Sequence, residues 1–429
     1  MSLSISLPPG EELRKNFHHL YADIAWYGIL AGSSMAFMAV YAARAGANTF
    51  QVGLLTAAPG FVNLLFSLPA GRWLEERQVI RVAYLFSIWH RLGYLALVPL
   101  PWLLGERYQV WGLVWIALYM SVPGTVLAIA FNAMFADVVP PYWRAQVVGR
   151  RNALLAISVT LSALSCGQIL DRVVFPFNYQ IVFVLGSLGA MMSSYHLGKL
   201  LPPKESHARV WKPLGELASP GILRALEAIR HSGLRYLTRT SGQKILRLDL
   251  LTGPFGRFLF AYLIFYTFQY LALPVFPLFY VNELGLSDGA ISLGSALFHA
   301  LVMLVSLRLG RLAARFGYQG MAVRGAFILG GYPLLLFLAQ DASLFWLASL
   351  IGGVAVGLLN GGLVNRLMER IPEQDRPAHM AMHNLALNLG ILAGSLSGPV
   401  LAEWIGLRPM LLASSLLRML AGVFLLLWG

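Results

Sequence analysis

Charge is the scarcest property of this chain. Only 12% of its 429 residues are Asp, Glu, Lys or Arg, too few to solvate a globular surface of that length, so the aqueous enzyme classes are excluded at the outset. Cysteine is nearly absent as well. Cys166 stands alone, which rules out an intrachain disulfide and any cysteine-built metal site. The sequence contains no GxxxxGKS/T loop, no HExxH, no GxSxG and no GxGxxG, and offers nothing for nucleotide hydrolysis, a zinc peptidase or an acyl hydrolase. The resulting expectation is a protein without enzymatic activity, cofactor or metal. Its first residues, MSLSISLPPGEELRKNF, lack a small-residue cleavage site, so no removable signal peptide is expected.

What the chain has instead is apolar length. Hydrophobic residues make up 58% of it and its mean hydropathy is +0.66, the profile of an integral membrane protein. A spanning helix needs about 20 mostly apolar residues. Twelve segments qualify: 22–43, 50–70, 79–102, 108–134, 146–170, 177–198, 256–281, 289–309, 320–340, 342–365, 378–402 and 407–428. The net charge of +13, from 32 Lys and Arg against 19 Asp and Glu, would point to nucleic acid in a soluble protein. Here it reports topology, because Lys and Arg collect in cytoplasmic loops, and no nucleic-acid partner is expected. With both termini cytoplasmic, 26 basic residues fall on the inner side and four, Arg44, Arg107, Arg172 and Arg408, on the outer side. That asymmetry suits a plasma (inner) membrane protein.

The chain also repeats itself. With a shift of 232 residues, Pro140 falls on Pro372, Arg144 on Arg376 and Asn152 on Asn384, and the register continues from Ser158, Ser162 and Cys166 onto Gly390, Gly394 and Gly398. Small residues at every fourth position let two membrane helices approach closely. GRWLEER, Gly71 to Arg77, corresponds to GRLAARFG, Gly310 to Gly317, each directly after the second span of its half. The expected fold is all-α: a polytopic membrane protein with twelve transmembrane helices in two six-helix halves, residues 1–200 and 256–429, joined by a connector over 201–255.

On these motifs and this topology the chain resembles the major facilitator superfamily of secondary transporters. Gly71, Glu75 and Arg77 partly match that family's loop motif between helices two and three. The second copy keeps Gly310, Arg315 and Gly317 but has Ala314 where the acid is expected, and helix five has Ser162, Cys166 and Gly167 in place of the family's antiporter glycine-proline pair. The resemblance implies two halves rocking about a midplane cavity lined mainly by helices 1, 4, 7 and 10, with helices 2, 5, 8 and 11 between the halves. The repeated loops are the expected gates, and in them Arg144 and Arg376 can each reach the carbonyl end of the preceding helix or the acidic loop of its own half.

Between Lys199 and Arg257 lie eleven basic and four acidic residues. Ser219 and Pro220 make a helix start, followed at helical spacing by Ile222, Leu223, Leu226 and Ile229 with Arg224 and Arg230 alongside. This pattern predicts an amphipathic helix lying on anionic lipid of the inner leaflet.

Ionisable groups at bilayer depth are costly and usually functional. None of the nineteen acids falls near the midplane: Asp23 and Asp137 lie at the inner ends of helices 1 and 4, and Glu283 at the outer end of helix 7. The deep titratable groups are His299 on helix 8 and His90 on helix 3, with Arg91 and Arg418 as deep cations. Ser292, Ser295, His299 and Ser306 share a face of helix 8, so His299 can carry protons or contact substrate; the competing reading is a neutral histidine bonded to a nearby serine or carbonyl. Coupling can otherwise come from Asp23 or Asp137 at the membrane edge. Arg91 can assist it, snorkel to a phosphate or pair with an acid such as Asp137. Arg418 receives the smallest role.

Tyr262, Tyr266, Gln269 and Tyr270 share a face of helix 7 and suit a cavity for an apolar or mildly polar organic molecule, or pack as aromatics near Pro274 and Pro277. Asn384 and Asn388 on helix 11 either meet substrate or, beside their glycine series, form interhelical hydrogen bonds. Trp26, with Tyr27 and Met35, can complete the cavity from helix 1. Two functions stay open: a secondary transporter exporting a hydrophobic or amphipathic small molecule, and a non-transporting lipid- or pigment-handling protein or assembly factor bound to a membrane-complex partner.

Overall fold

A computed structural model describes residues 10–75, 77–201, 248–372 and 376–429. A bilayer core supplies no water to backbone groups, so a spanning segment must close its hydrogen bonds internally. Among the described residues every regular element is helical. Six helices form the first half: α1 Glu11–Arg44, α2 Thr49–Glu75, α3 Val79–Leu97, α4 Glu106–Val138, α5 Pro141–Arg172 and α6 Phe177–Gly198. Six more form the second: α7 Pro254–Glu283, α8 Asp288–Leu307, α9 Leu309–Leu338, α10 Ala342–Arg370, α11 Arg376–Ile405 and α12 Leu407–Trp428. Eleven of the twelve are long and apolar enough to cross a membrane; α3 falls short because it carries Arg81, His90 and Arg91.

The helices fall on the twelve expected spans, with differences that particular residues explain. The third span, expected to reach residue 102, ends at Leu97, since Pro99 and Pro101 have no N–H to continue the ladder; a single turn, Leu100–Leu103, follows. The seventh is not one helix. It runs to Leu271, stops before Pro274, resumes over Val275–Leu278 and finishes in a π-turn, Phe279–Glu283. The ninth begins earlier than expected and bends at Gly317, whose φ of 66° suits a residue without Cβ. Polar caps fix two starts: the Ser287 hydroxyl accepts the Ala290 N–H at 3.1 Å before α8, and Asp341 accepts the Ser343 N–H at 3.0 Å before α10.

Packing follows the repeat. In the first half α1 lies against α5 and α6, and in the second α7 lies against α11 and α12; the halves meet through α2 with α11 and α5 with α8. Gly28 and Gly32 of α1 lie against Ser158 and Ser162 of α5, while Gly390, Gly394 and Gly398 of α11 lie against Tyr266, Thr267 and Leu271 of α7. The same small-residue register therefore packs helix five on helix one and helix eleven on helix seven. The predicted amphipathic helix of the connector, and the side chains of Glu75 and Arg376, lie outside the described residues.

Candidate functional site

Hydrogen bonds between described residues of the two halves gather toward one face, the face with few arginines. Asp288, at the start of α8, accepts from Arg44 of α1 (Nη2 at 3.2 Å) and from the Tyr179 hydroxyl of α6 at 2.8 Å, and Arg44 also donates to the Leu286 carbonyl. Beside it Asp171, at the end of α5, accepts the Gly289 N–H at 2.8 Å and the Ser287 hydroxyl at 3.3 Å. A carboxylate at the opening turn of α8 also meets the positive end of its dipole. Thr49 of α2 donates to Glu403 of α11 on the same face. One turn deeper, the Ser292 hydroxyl donates to the Ala163 carbonyl. Toward the arginine-rich face no such bond joins the halves among the described residues.

Beneath this closed face lies a cavity of about 280 Å³. Ala36 and Val40 of α1 form one wall; the rest comes from α7, α8, α9, α10 and α12. The lining is mostly apolar, with Phe276, Phe298 and Phe345, and its polar groups are Gln269, Tyr280, Tyr332, Ser295, Ser349 and Arg418. The Tyr280 and Tyr332 hydroxyls bond to each other.

Local sequence explains how Arg418 is held. Leu329 sits four residues before Pro333, whose missing N–H leaves the Leu329 carbonyl without its helical donor. The break in α7 likewise frees carbonyls of its last turn, including that of Gln269. Arg418 Nη2 donates to the Gln269 carbonyl at 2.7 Å, Nη1 lies 3.5 Å from the Leu329 carbonyl, and the guanidinium carbon stands 5.4 Å from the Phe276 ring centre. Its Nε has no partner.

A second buried polar cluster sits in the first half, toward the arginine-rich face. Asp23 accepts from Arg151 at 3.1 Å and from the Ser193 hydroxyl at 2.5 Å, and lies 3.9 Å from Arg91, which donates to Ser193 and Ser194. All three charged residues are buried.

The structure separates several residues that the sequence grouped. Of the helix-7 set only Gln269 lines the cavity. The Tyr262 hydroxyl donates to the Leu363 carbonyl at 3.0 Å and Tyr266 bonds to His383 Nε2 at 3.0 Å, inside the second half, while Tyr270 packs against Gly394. The polar stripe of α8 does not act as one face: Ser292 binds α5, Ser295 lines the cavity, Ser306 is exposed, and half-buried His299 bonds through Nδ1 to the Ser295 carbonyl at 2.8 Å. Asn388 donates to the carbonyl of Asn384 within its own helix at 2.8 Å, and among the described residues the interhelical bonds expected there do not form; the Asn384 side chain is exposed. The suggested Arg91–Asp137 pair is corrected to Arg91–Asp23, since Asp137 is exposed at the end of α4. Half-buried Trp26 lies outside the cavity lining, to which α4 contributes nothing.

In the loops, Arg144 takes the first of its two expected partners, capping α4 through the Val139 and Ala136 carbonyls at 3.1 and 2.8 Å. Arg77 lies over Trp73 and Arg315 over Phe316, and the space beside Gly71 and Gly310 is open. Sequence reasoning missed Tyr280, Tyr332, Ser349 and His383 and undervalued Arg418. The usable signal was proline inside a span, which frees carbonyls for a buried cation.

Comparison with known proteins adds family context. Residues 258–429 match the model described as Major Facilitator Superfamily. Multidrug resistance protein 1 of Bacillus subtilis (strain 168) is 26% identical over 133 residues, covering 31% of this chain and 34% of that protein, so the match spans about a third of the relative's length. A mutant of the nucleoside transporter NupG superposes with a TM-score of 0.69 at 10% identity, covering 96% of this chain and 99% of that one. For a D-xylose-proton symporter the TM-score is 0.68 at 13% identity, with 97% and 98% covered. For the human organic anion transporter MFSD10 it is 0.60 at 15% identity, with 98% and 100% covered. At these identities the structural likeness is one of fold.

Proposed function

We propose that the chain, whose residues 258–429 match the Major Facilitator Superfamily model, is a secondary transporter of that family exporting a hydrophobic or amphipathic small molecule by alternating access. The observation that carries the reading is the placement of the bonds between the halves. They hold the arginine-poor face shut above a cavity that both halves line, while the arginine-rich face has no matching bonds between described residues. A two-half protein closed on one side is what alternating access requires of one of its states. Export is supported by the partial similarity to a multidrug resistance protein, and the 26-to-4 distribution of basic residues turns the arginine-rich face to the cytoplasm. The apolar lining suits an apolar body. We assign the protein to the plasma (inner) membrane with both termini cytoplasmic.

The test uses inverted membrane vesicles from cells overproducing the full chain. They should accumulate an amphipathic fluorescent dye faster than vesicles from control cells, and dye preloaded into reconstituted liposomes should exchange with external dye. Vesicles that neither accumulate nor exchange any member of a chemically varied dye panel, from a protein that copurifies with a stoichiometric membrane partner, would instead support the non-transporting reading as an assembly factor.

A further inference from the structure

We propose that the cavity beside Arg418 binds an amphipathic organic anion, its acid group on the guanidinium and its apolar body among Phe276, Phe298 and Phe345. This deepens the transporter reading above and rests on it for the cavity's role. Three arginines are buried in the described residues: Arg91, Arg151 and Arg418. The first two share the Asp23 carboxylate. Arg418 is 2% exposed, sits midway along α12, and has no carboxylate within ion-pair distance among the described residues. Its acceptors are two backbone carbonyls, one of them at the limit of a hydrogen bond, and its Nε is unpartnered.

A guanidinium withdrawn from water without an opposite charge is strongly disfavoured. Carbonyl dipoles and an aromatic face offset part of that cost, and a ligand anion can offset the rest. A guanidinium also presents a planar fork that fits a carboxylate or phosphate in two parallel bonds. The Gln269 amide, in the same lining, can donate to the ligand's remaining oxygen lone pairs. The other walls are apolar, so the anion needs a hydrophobic body. Because Ala36 and Val40 close the cavity from the first half, ligand bound there touches both halves, and its binding can bias their relative position.

The probe is decanoate, with decanamide as its uncharged match, titrated calorimetrically into the purified full-length protein in phosphatidylcholine nanodiscs. Decanoate should bind, and decanamide should bind more weakly by roughly ten- to a hundredfold, the range for losing a charged hydrogen-bond partner. Arg418→Gln should weaken decanoate by a similar factor without affecting decanamide. Because that variant removes a buried group and can misfold, Val356→Phe provides a second arm: it leaves Arg418 in place, fills the cavity, and should weaken decanoate and decanamide alike.

Equal affinity for the acid and the amide, or wild-type decanoate binding in both variants, overturns the proposal. So does loss of decanoate binding when phosphatidylglycerol replaces part of the nanodisc lipid, since the cavity would then belong to a membrane lipid. Binding with the expected selectivity in a protein that moves nothing across liposomes sinks the transporter reading alone. Dye transport by wild-type protein that binds no decanoate sinks only the anion site.

Discussion

Asp23 shows what a single residue does in this protein. Two guanidinium groups converge on one buried carboxylate, with Ser193 bridging Asp23 and Arg91. Removing one partner of a buried ion pair costs about 3–5 kcal/mol, because the remaining charge is left without compensation. Asp23→Asn should therefore lower stability by at least that order, read as a large fall in thermal midpoint, whereas Asp137→Asn at an exposed site should leave it unchanged. Equal midpoints for the Asp23 variant and the parent would mean that Arg91 and Arg151 reach water. The sequence marked Arg91 as a deep cation but left Asp23 at the membrane edge and suggested Asp137 as the partner of Arg91. It counted Arg151 among the inner-side cations although the expected fifth span, 146–170, already contained it; in the structure Arg151 donates to the Leu20 carbonyl and to Asp23 of α1. Pairing across three helices depends on rotation about each helix axis, which hydropathy does not report.

Element pairs were more legible, because spacing within one helix is a local property. The series Gly390, Gly394 and Gly398 predicted a close helix contact, and the structure supplies its partner, α7: a Cβ at Gly394 would fall against the Thr267 carbonyl and Tyr270, and one at Gly398 against the Leu271 carbonyl. Overpacking of this kind typically costs about 1–3 kcal/mol. Gly394→Ala should lower the thermal midpoint of the purified protein, and Gly149→Ala, where no heavy atom lies within 4 Å of the added carbon, should not. If both behave alike, the glycine series does not set the α7–α11 distance. The break in α7 was not legible. Pro59, Pro69 and Pro123 lie inside α2 and α4 without ending them, whereas Pro274 coincides with a full interruption. An apolar run with a proline reads the same in both cases, and only the packing around it decides whether the freed carbonyls stay in a helix or turn to another partner such as Arg418.

At the scale of the whole molecule, the twelve-helix order and the two-half repeat were readable because span length and register are linear features. The conformational state was not, since it is set by contacts between residues far apart in sequence. Those contacts make a specific latch. Arg44, Asp288 and Tyr179 join α1, α8 and α6, and Asp171 joins the end of α5 to the first turn of α8. A partly exposed pair such as Arg44–Asp288 contributes little alone, but a conformational equilibrium responds to differences of a few kcal/mol between its states. Losing two carboxylates that join the halves in this state should shift the populations. The measurement is pulsed electron spin resonance on full-length Cys166→Ser protein with spin labels at 107 and 340, one per half on the arginine-poor face, and separately at 150 and 311 on the arginine-rich face. In Asp171→Asn/Asp288→Asn protein the first distance should lengthen or broaden and the second should shorten, because rigid halves that rock about a shared axis must exchange one opening for the other. If the first distance lengthens while the second stays fixed, the latch has only frayed and the halves do not move as rigid bodies. If neither changes, the small-residue contacts of α5 with α8 and α2 with α11 hold this state without the carboxylates, and the latch is not what selects it.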